Sequence, residues 1–301
     1  MEISSNRVYV KERFGFTTIV FDTRNTEMYI EYIKQSGIKN IIVNTSTTYL
    51  CQDLSPLMPV CDILESLEIY GEDFNYDKIK YFSNLKILSI SYNKKELIDL
   101  KNFPNLEDLN CVFTKKIVNL SSCENLKSLR LLNYNPSTKN LHEIPAFHNL
   151  LNLGILFANI HTLSGIENLS SLKKFEIWRA PNLQTISSLI PLSQSIETLF
   201  IESCKKITDY EIVGNLKLLK KLRISDSGEI QNLSFIKQLK DLDFLSFWGT
   251  KVLDGDISHC EGIKFVGFDD KRHYNRKYKD FEDANIKFAP LRSLNTMRHF
   301  D

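Results

Sequence analysis

The chain has 301 residues, 43% of them hydrophobic, enough to bury a large core. Lys plus Arg number 38 and Asp plus Glu 37, so no global field favours nucleic acid or an acidic membrane. The opening "MEISSNRVYVKERFGF" lacks a basic region followed by an apolar run, and no stretch is apolar for long enough to cross a bilayer; a cytoplasmic protein, monomeric on its own, is expected.

From the N-terminus, Arg7 to Val10 and Thr17 to Phe21 read as short strands and Thr26 to Gln35 as a helix stopped by Gly37. With "IKNIIVN", Ile38 to Asn44, as an irregular first coil, residues 1–61 are expected to form an N-terminal cap. From there a frame repeats in steps of roughly 20 to 24 residues: Leu64, Leu85, Leu106, Leu126, Leu150, Leu172, Ile196, Leu219, Leu242 and Ile263. Three residues after each stands Leu67, Leu88, Leu109, Leu129, Leu153, Phe175, Leu199, Leu222, Leu245 or Val266. Two further on stands Ile69, Ile90, Cys111, Leu131, Ile155, Ile177, Ile201, Ile224, Phe247 or Phe268. No polar residue interrupts the frame.

This LxxLxL core resembles the leucine-rich-repeat family, closest to its short-repeat, internalin-like class, over about residues 62–270. The resemblance implies an α/β solenoid: a curved parallel sheet on the concave face and short return segments on the convex face. One column departs from the family. Eight residues after the first leucine, where the family usually has Asn, stand Asn93, Thr114, Cys204, Ser227 and Thr250, but also Tyr134, Ala158 and Ala180. The last three cannot bond the turn backbone as Asn does, which predicts a less regular middle.

The return segments carry apolar residues every third position: Ile160, Leu163, Ile166, Leu169; Leu183, Ile186, Leu189, Leu192; Ile230, Leu233, Ile236, Leu239. That step predicts 3₁₀ turns or short extended pieces instead of long helices. A single coil cannot bury its own apolar face, so the coils must stack and both ends need polar caps. Residues 271–301, rich in charge and without the leucine spacing, are expected to form the C-terminal cap and tail.

Chemistry-bearing motifs are absent from the sequence. The six cysteines form no C-x-x-C pair and have no zinc spacing with histidine, so reduced structural thiols, no metal and no cofactor are expected. "GNLKLLKK" from Gly214 lacks the close of a phosphate loop. His142, His148, His161, His259, His273 and His299 fall at turns or in the tail without a recurring nucleophile or carboxylate, and no enzymatic activity is expected. "NLS" at Asn119, Asn168 and Asn232 matches a glycosylation acceptor but is what the repeat itself generates at coil turns, and with no secretory route expected no glycosylation is expected.

If the frame residues point inward, the alternating residues face outward and are free to vary. Six after the first leucine come Tyr70, Ser91, Val112, Leu132, Leu156, Trp178, Glu202, Ser225, Trp248 and Asp269, a column that holds both tryptophans. Neighbouring columns add Arg130, Glu176, Arg179, Phe200, Arg223, Asp226, Phe244 and Phe265. Two zones are expected: an apolar strip of Val112, Leu132 and Leu156 bordered by Phe113, Phe157 and Arg130, and an aromatic and charged zone from Trp178 to Trp248. Aromatic and Arg anchors ringed by polar groups are the composition of protein-binding hot spots. The alternative is packing alone, with Leu132 on Leu156, Trp178 flat over a strand and Glu202 paired with Arg223.

The expected function is therefore non-catalytic recognition of a protein partner through Tyr70, Val112, Arg130, Leu132, Leu156, Glu176, Trp178, Arg179, Phe200, Glu202, Arg223, Asp226, Phe244 and Trp248. Lys271, Arg272, Tyr274, Arg276, Lys277 and Tyr278 form a second, basic candidate, a docking tail that would suit nucleic acid, although Asp269, Asp270 and Asp280 dilute it. The tail "DKRHYNRKYKDF" after a short-repeat solenoid is similar to that of cytoplasmic leucine-rich-repeat proteins of bacteria. That resemblance implies an immunity or antitoxin role that occludes a toxin domain; the likeness to the short-repeat class implies, as alternatives, a regulatory subunit of an enzyme or a scaffold.

Overall fold

The computed structural model describes residues 8–13, 15–45, 51–92 and 95–292. Arg7, Asn93, His299 and the tail beyond residue 292 lie outside the described residues. The chain divides into two compact units, one ending at Leu132 and the next starting at Asn133.

The first unit opens with a hairpin of β1 (Tyr9–Arg13) and β2 (Phe16–Val20). Its first strand runs further than the sequence suggests, because Arg13 pairs with Phe16 across a tight turn where Gly15 has φ +81°. Helix α1 (Thr26–Ser36) follows and stops at Gly37, whose left-handed φ of 70° an L side chain would resist. Then come β3 (Asn40–Asn44), β4 (Ser66–Tyr70), β5 (Ile87–Ile90), β6 (Ile98–Asp99), β7 (Asp108–Val112), β8 (Ile117–Val118) and β9 (Ser128–Leu132). Strands β2, β3, β4, β5, β7 and β9 pair in parallel in that order, so "IKNIIVN" does supply a coil, while β6 and β8 pair separately.

The second unit is a parallel run of β10 (Asn152–Leu156), β11 (Lys174–Trp178), β12 (Thr198–Glu202), β13 (Lys221–Ser225), β14 (Phe244–Ser246) and β15 (Phe265–Gly267), followed by α2 (Glu282–Arg292). Every frame residue is buried, the most exposed being Ile263 at 8%. The return segments are 3₁₀ turns as their three-residue step requires, among them Ile166–Asn168, Ser187–Leu192 and Ser234–Gln238.

The looser middle expected from Tyr134, Ala158 and Ala180 is not what the turns show. Asn133, Phe157, Arg179, Ser203, Asp226 and Gly249, each seven residues after a first leucine, all take a left-handed φ between 47° and 69°. One turn geometry thus recurs after β9, β10, β11, β12, β13 and β14. Tyr134 and the two alanines are buried, and the Tyr134 hydroxyl donates to the Asn140 carbonyl at 3.1 Å. Further along, side chains link successive turns: Ser227 Oγ accepts from the Cys204 N–H, and Thr250 Oγ1 from the Ser227 N–H.

A charge pattern sits one residue after the first leucines, interrupted at Leu151. In the first unit Glu65 bonds both Lys39 (2.6 Å) and Lys86 (2.8 Å), and Glu107 bonds Lys127 (2.8 Å). In the second, Glu197 lies between Lys220 (2.7 Å) and Lys173 (3.4 Å), and Asp243 bonds Lys264 (2.8 Å). Each exposed pair is worth under about 1 kcal/mol, but alternating signs penalise a slip of one coil against the next.

The exposed edge of β15 is closed by one side chain. Asn285, 5% exposed on α2, accepts from the Val266 N–H at 2.8 Å and donates to the Val266 carbonyl at 2.9 Å. It stands in for the strand that the next coil would have supplied.

Candidate functional site

The parallel register stacks the outward columns of the second unit side by side. Glu176 lies opposite Phe200, Phe200 opposite Arg223, and Arg223 opposite Ser246. Trp178 lies opposite Glu202, which lies opposite Ser225. At about 4.8 Å between strands, such neighbours touch.

Phe200 is the centre of this face. It is half-buried, with the Arg223 guanidinium 4.5 Å from its ring centroid and the Lys174 ammonium 5.7 Å away. Cations over an aromatic face gain about 0.5–1 kcal/mol when exposed and more when desolvated. Lys174 also bonds the Glu176 carboxylate at 2.8 Å, which is only 5% exposed as a residue. Arg223 thus lies on Phe200, whereas the packing alternative paired it with Glu202.

The two tryptophans differ. Trp178 is half-buried; Trp248 is 38% exposed, and Tyr278 tilts against it at 5.5 Å. Phe244 is stacked on Phe265 at 4.7 Å and 5°, and only 6% of it is exposed, so it supports the face more than it offers contact. At the turn edge, Arg179 lies over the ring of Phe157 at 5.2 Å, and both hold left-handed φ angles of 53° and 54°. Bulky residues in that conformation cost of order 1 kcal/mol each. Asp226 and Glu202 complete this edge, exposed and half-buried respectively. Leu156 is 5% exposed, opposite Trp178.

The outward face of the first unit has another character. The Tyr70 hydroxyl donates to Glu68 at 2.6 Å, Asn110 donates to Ser89 Oγ at 3.1 Å, and Ser91 donates to the Ile69 carbonyl at 3.1 Å. Val112 and Leu132 lie opposite each other and half-buried, with Arg130 opposite Asn110.

The basic candidate at residues 271–278 packs against the preceding coils through several of its side chains. Tyr274 is 4% exposed and its oxygen accepts from the Val252 N–H at 2.9 Å; burial holds its hydroxyl above the usual tyrosine range. Arg276 bonds Glu261 at 2.8 Å, and the Lys277 ammonium donates to the Lys271 carbonyl at 2.6 Å. The Tyr278 N–H donates to the Asp270 carboxylate at 2.7 Å, and Arg272 is exposed.

All six cysteines are free thiols, five of them buried. Burial pushes Cys51, Cys111 and Cys260 up to about 12, and Cys123 and Cys204 up to about 11, so these thiols are unreactive at neutral pH. Among the described residues no group of three or more His, Cys, Asp or Glu is placed to hold a metal, and no helix is long and apolar enough to cross a membrane.

No family model matches the sequence, and no curated protein matches it. Solved structures do. An internalin, InlF, from Listeria monocytogenes str. 4b F2365 aligns with a TM-score of 0.53 and 17% identity over 95% of this chain and 87% of that one. The functional domain of InlJ from Listeria monocytogenes, described as including a cysteine ladder, aligns with a TM-score of 0.52 and 19% identity over 75% of this chain and 47% of that one. The chain therefore spans about half the length of the InlJ structure. At these identities the likeness establishes the fold: an internalin-like leucine-rich-repeat solenoid with a mostly parallel sheet and 3₁₀ returns. In this chain Cys204 alone stands at the column eight after the first leucine, between Ala180 and Ser227.

Proposed function

We propose that the chain recognises another protein, without catalysis, through the outward sheet face of its second unit. The observation that carries this reading is the cluster around Phe200, where a half-buried aromatic ring lies beside two cations and next to the strand β11 that ends at Trp178. Burying Trp178, Phe200 and Trp248 against a partner supplies the affinity, and Glu176, Glu202, Arg179, Arg223 and Asp226 set orientation. Phe244 backs the site from below. Tyr70, Val112, Arg130, Leu132 and Leu156 form the periphery of the recognition surface and contribute less.

A role in the bacterial cytoplasm as an immunity protein that occludes a toxin domain fits this surface and predicts a tight one-to-one complex. A regulatory subunit predicts an enzyme as the partner, and a scaffold predicts several weaker ones. The docking-tail reading has less support, since Tyr274, Arg276 and Lys277 are already engaged within the cap. Affinity capture from the native host with wild type and a Trp178→Ala, Trp248→Ala double variant tests the proposal. One protein lost with the double variant supports it; equal recovery on both baits removes it.

A further inference from the structure

Charge on the recognition face is sorted along the strands. At the strand starts stand Lys174 and Lys221, with Arg223 two residues further on, and among these columns of the second unit the opposing charge is Glu176, already bonded to Lys174. Toward the strand ends, about 13 Å away from the lysine row, stand Glu202, Asp226 and Asp269. The face is thus basic at one margin and acidic at the other, although the chain as a whole is nearly neutral.

Lys221 shows what the basic margin lacks. It is half-buried opposite Phe244 and Thr198, and among the described residues its ammonium forms no hydrogen bond or ion pair. Burial above all, with the Lys174 charge adding to it, outweighs the opposing pull of the Asp243 carboxylate and holds its amine below the usual lysine range. A partly desolvated cation that no carboxylate contacts directly, with the Lys174 charge adding repulsion, gains from an anion that does contact it.

We infer that Lys221, with Lys174 and Arg223, receives the carboxylates of an acidic segment of the protein partner, laid across the strand starts with an apolar side chain against Phe200. This rests on the protein-recognition reading above and names the partner's chemistry. A nucleic acid fits less well, because its continuous phosphate chain would be repelled by Glu202, Asp226 and Asp269 across the same face. A protein surface carries both signs and meets both margins.

The test selects a random displayed peptide library on the full chain and measures the enriched peptides by fluorescence anisotropy. Enriched peptides are expected to carry an excess of Asp and Glu. Their affinity should fall at least tenfold with Lys221→Glu or Lys221→Gln and stay within twofold with Lys237→Glu, the same reversal at an exposed position on the return turn Ser234–Gln238. Circular dichroism melts of each variant confirm folding. Neutral or basic winners, no enrichment, or acidic winners indifferent to Lys221 overturn the inference. Displacement of the peptides by a single-stranded oligonucleotide with steep salt dependence also overturns it, in favour of a polyanion site. Peptides that lose binding with the Trp178→Ala, Trp248→Ala variant but not with the Lys221 variants leave the recognition face standing and remove its acidic preference. Peptides indifferent to both remove the face itself.

Discussion

The outward face of the first unit and that of the second are built on one core grammar and carry different surfaces. In the first, polar side chains satisfy one another: Tyr70 with Glu68, Asn110 with Ser89, Ser91 with a backbone carbonyl. In the second, rings and cations lie beside one another around Phe200, and the half-buried Lys221 forms no ion pair among the described residues. Hydrogen bonds closed within a sheet face leave little to offer a partner, whereas half-covered aromatics gain from further burial. Specialisation therefore resides in the columns that core packing leaves free.

The comparison breaks first at the core, where the two units should behave alike. Leu109→Ala in the first and Leu199→Ala in the second, both fully buried, should each cost about 2–5 kcal/mol in denaturant unfolding. A change tolerated in one unit would show that the cores are not equivalent. A smaller effect is expected at the β15 edge, which the Asn285 side chain closes. Asn285→Ala leaves the Val266 N–H and carbonyl without their partner and should cost about 1–3 kcal/mol, with faster hydrogen exchange at the Val266 amide.

The smallest effect belongs to the charge pattern that both units share. Glu197→Gln removes two exposed ion pairs and should cost under about 1 kcal/mol in all, a difference that about 1 M salt erases. Acid should act in the same direction. Bonds from Lys220 above all, and from Lys173, hold the Glu197 carboxyl below the usual carboxylate range. Its contribution is therefore present above the unfolded value of about 4.3 and is lost as pH falls through the lowered native value. Thermal melts of wild type and Glu197→Gln should converge in acid.

Much of this was legible in the sequence because a solenoid repeats its instructions. Every LxxLxL frame position is buried, and the three-residue step of Leu183, Ile186, Leu189 and Leu192 marked a 3₁₀ return. The charge pattern at Glu65, Lys86, Glu107 and Lys127 was equally periodic but has the parity of core positions. It escapes a strict inward and outward alternation because it precedes the strand, where the side chain still reaches solvent.

Other features had no local signal. Nothing near Asn285 announces that its amide will replace a strand, and nothing in Phe157 or Arg179 announces a left-handed φ that Gly249 takes freely. Coverage on the outward face was also hidden. Phe244 looked like an anchor until Phe265 stacked on it, and Trp248 meets Tyr278 from a cap thirty residues later in sequence. Composition of a column tells which groups face outward, while their burial depends on neighbours one coil or more away.

The most direct measurement is the affinity of the captured partner for three proteins by isothermal titration: wild type, Trp248→Ala in the second unit and Tyr70→Ala in the first. Recognition through the second unit's face predicts a loss of about 2 kcal/mol or more for Trp248→Ala and less than about 0.5 kcal/mol for Tyr70→Ala. Unchanged affinity with Trp248→Ala, or a larger loss with Tyr70→Ala, would contradict it.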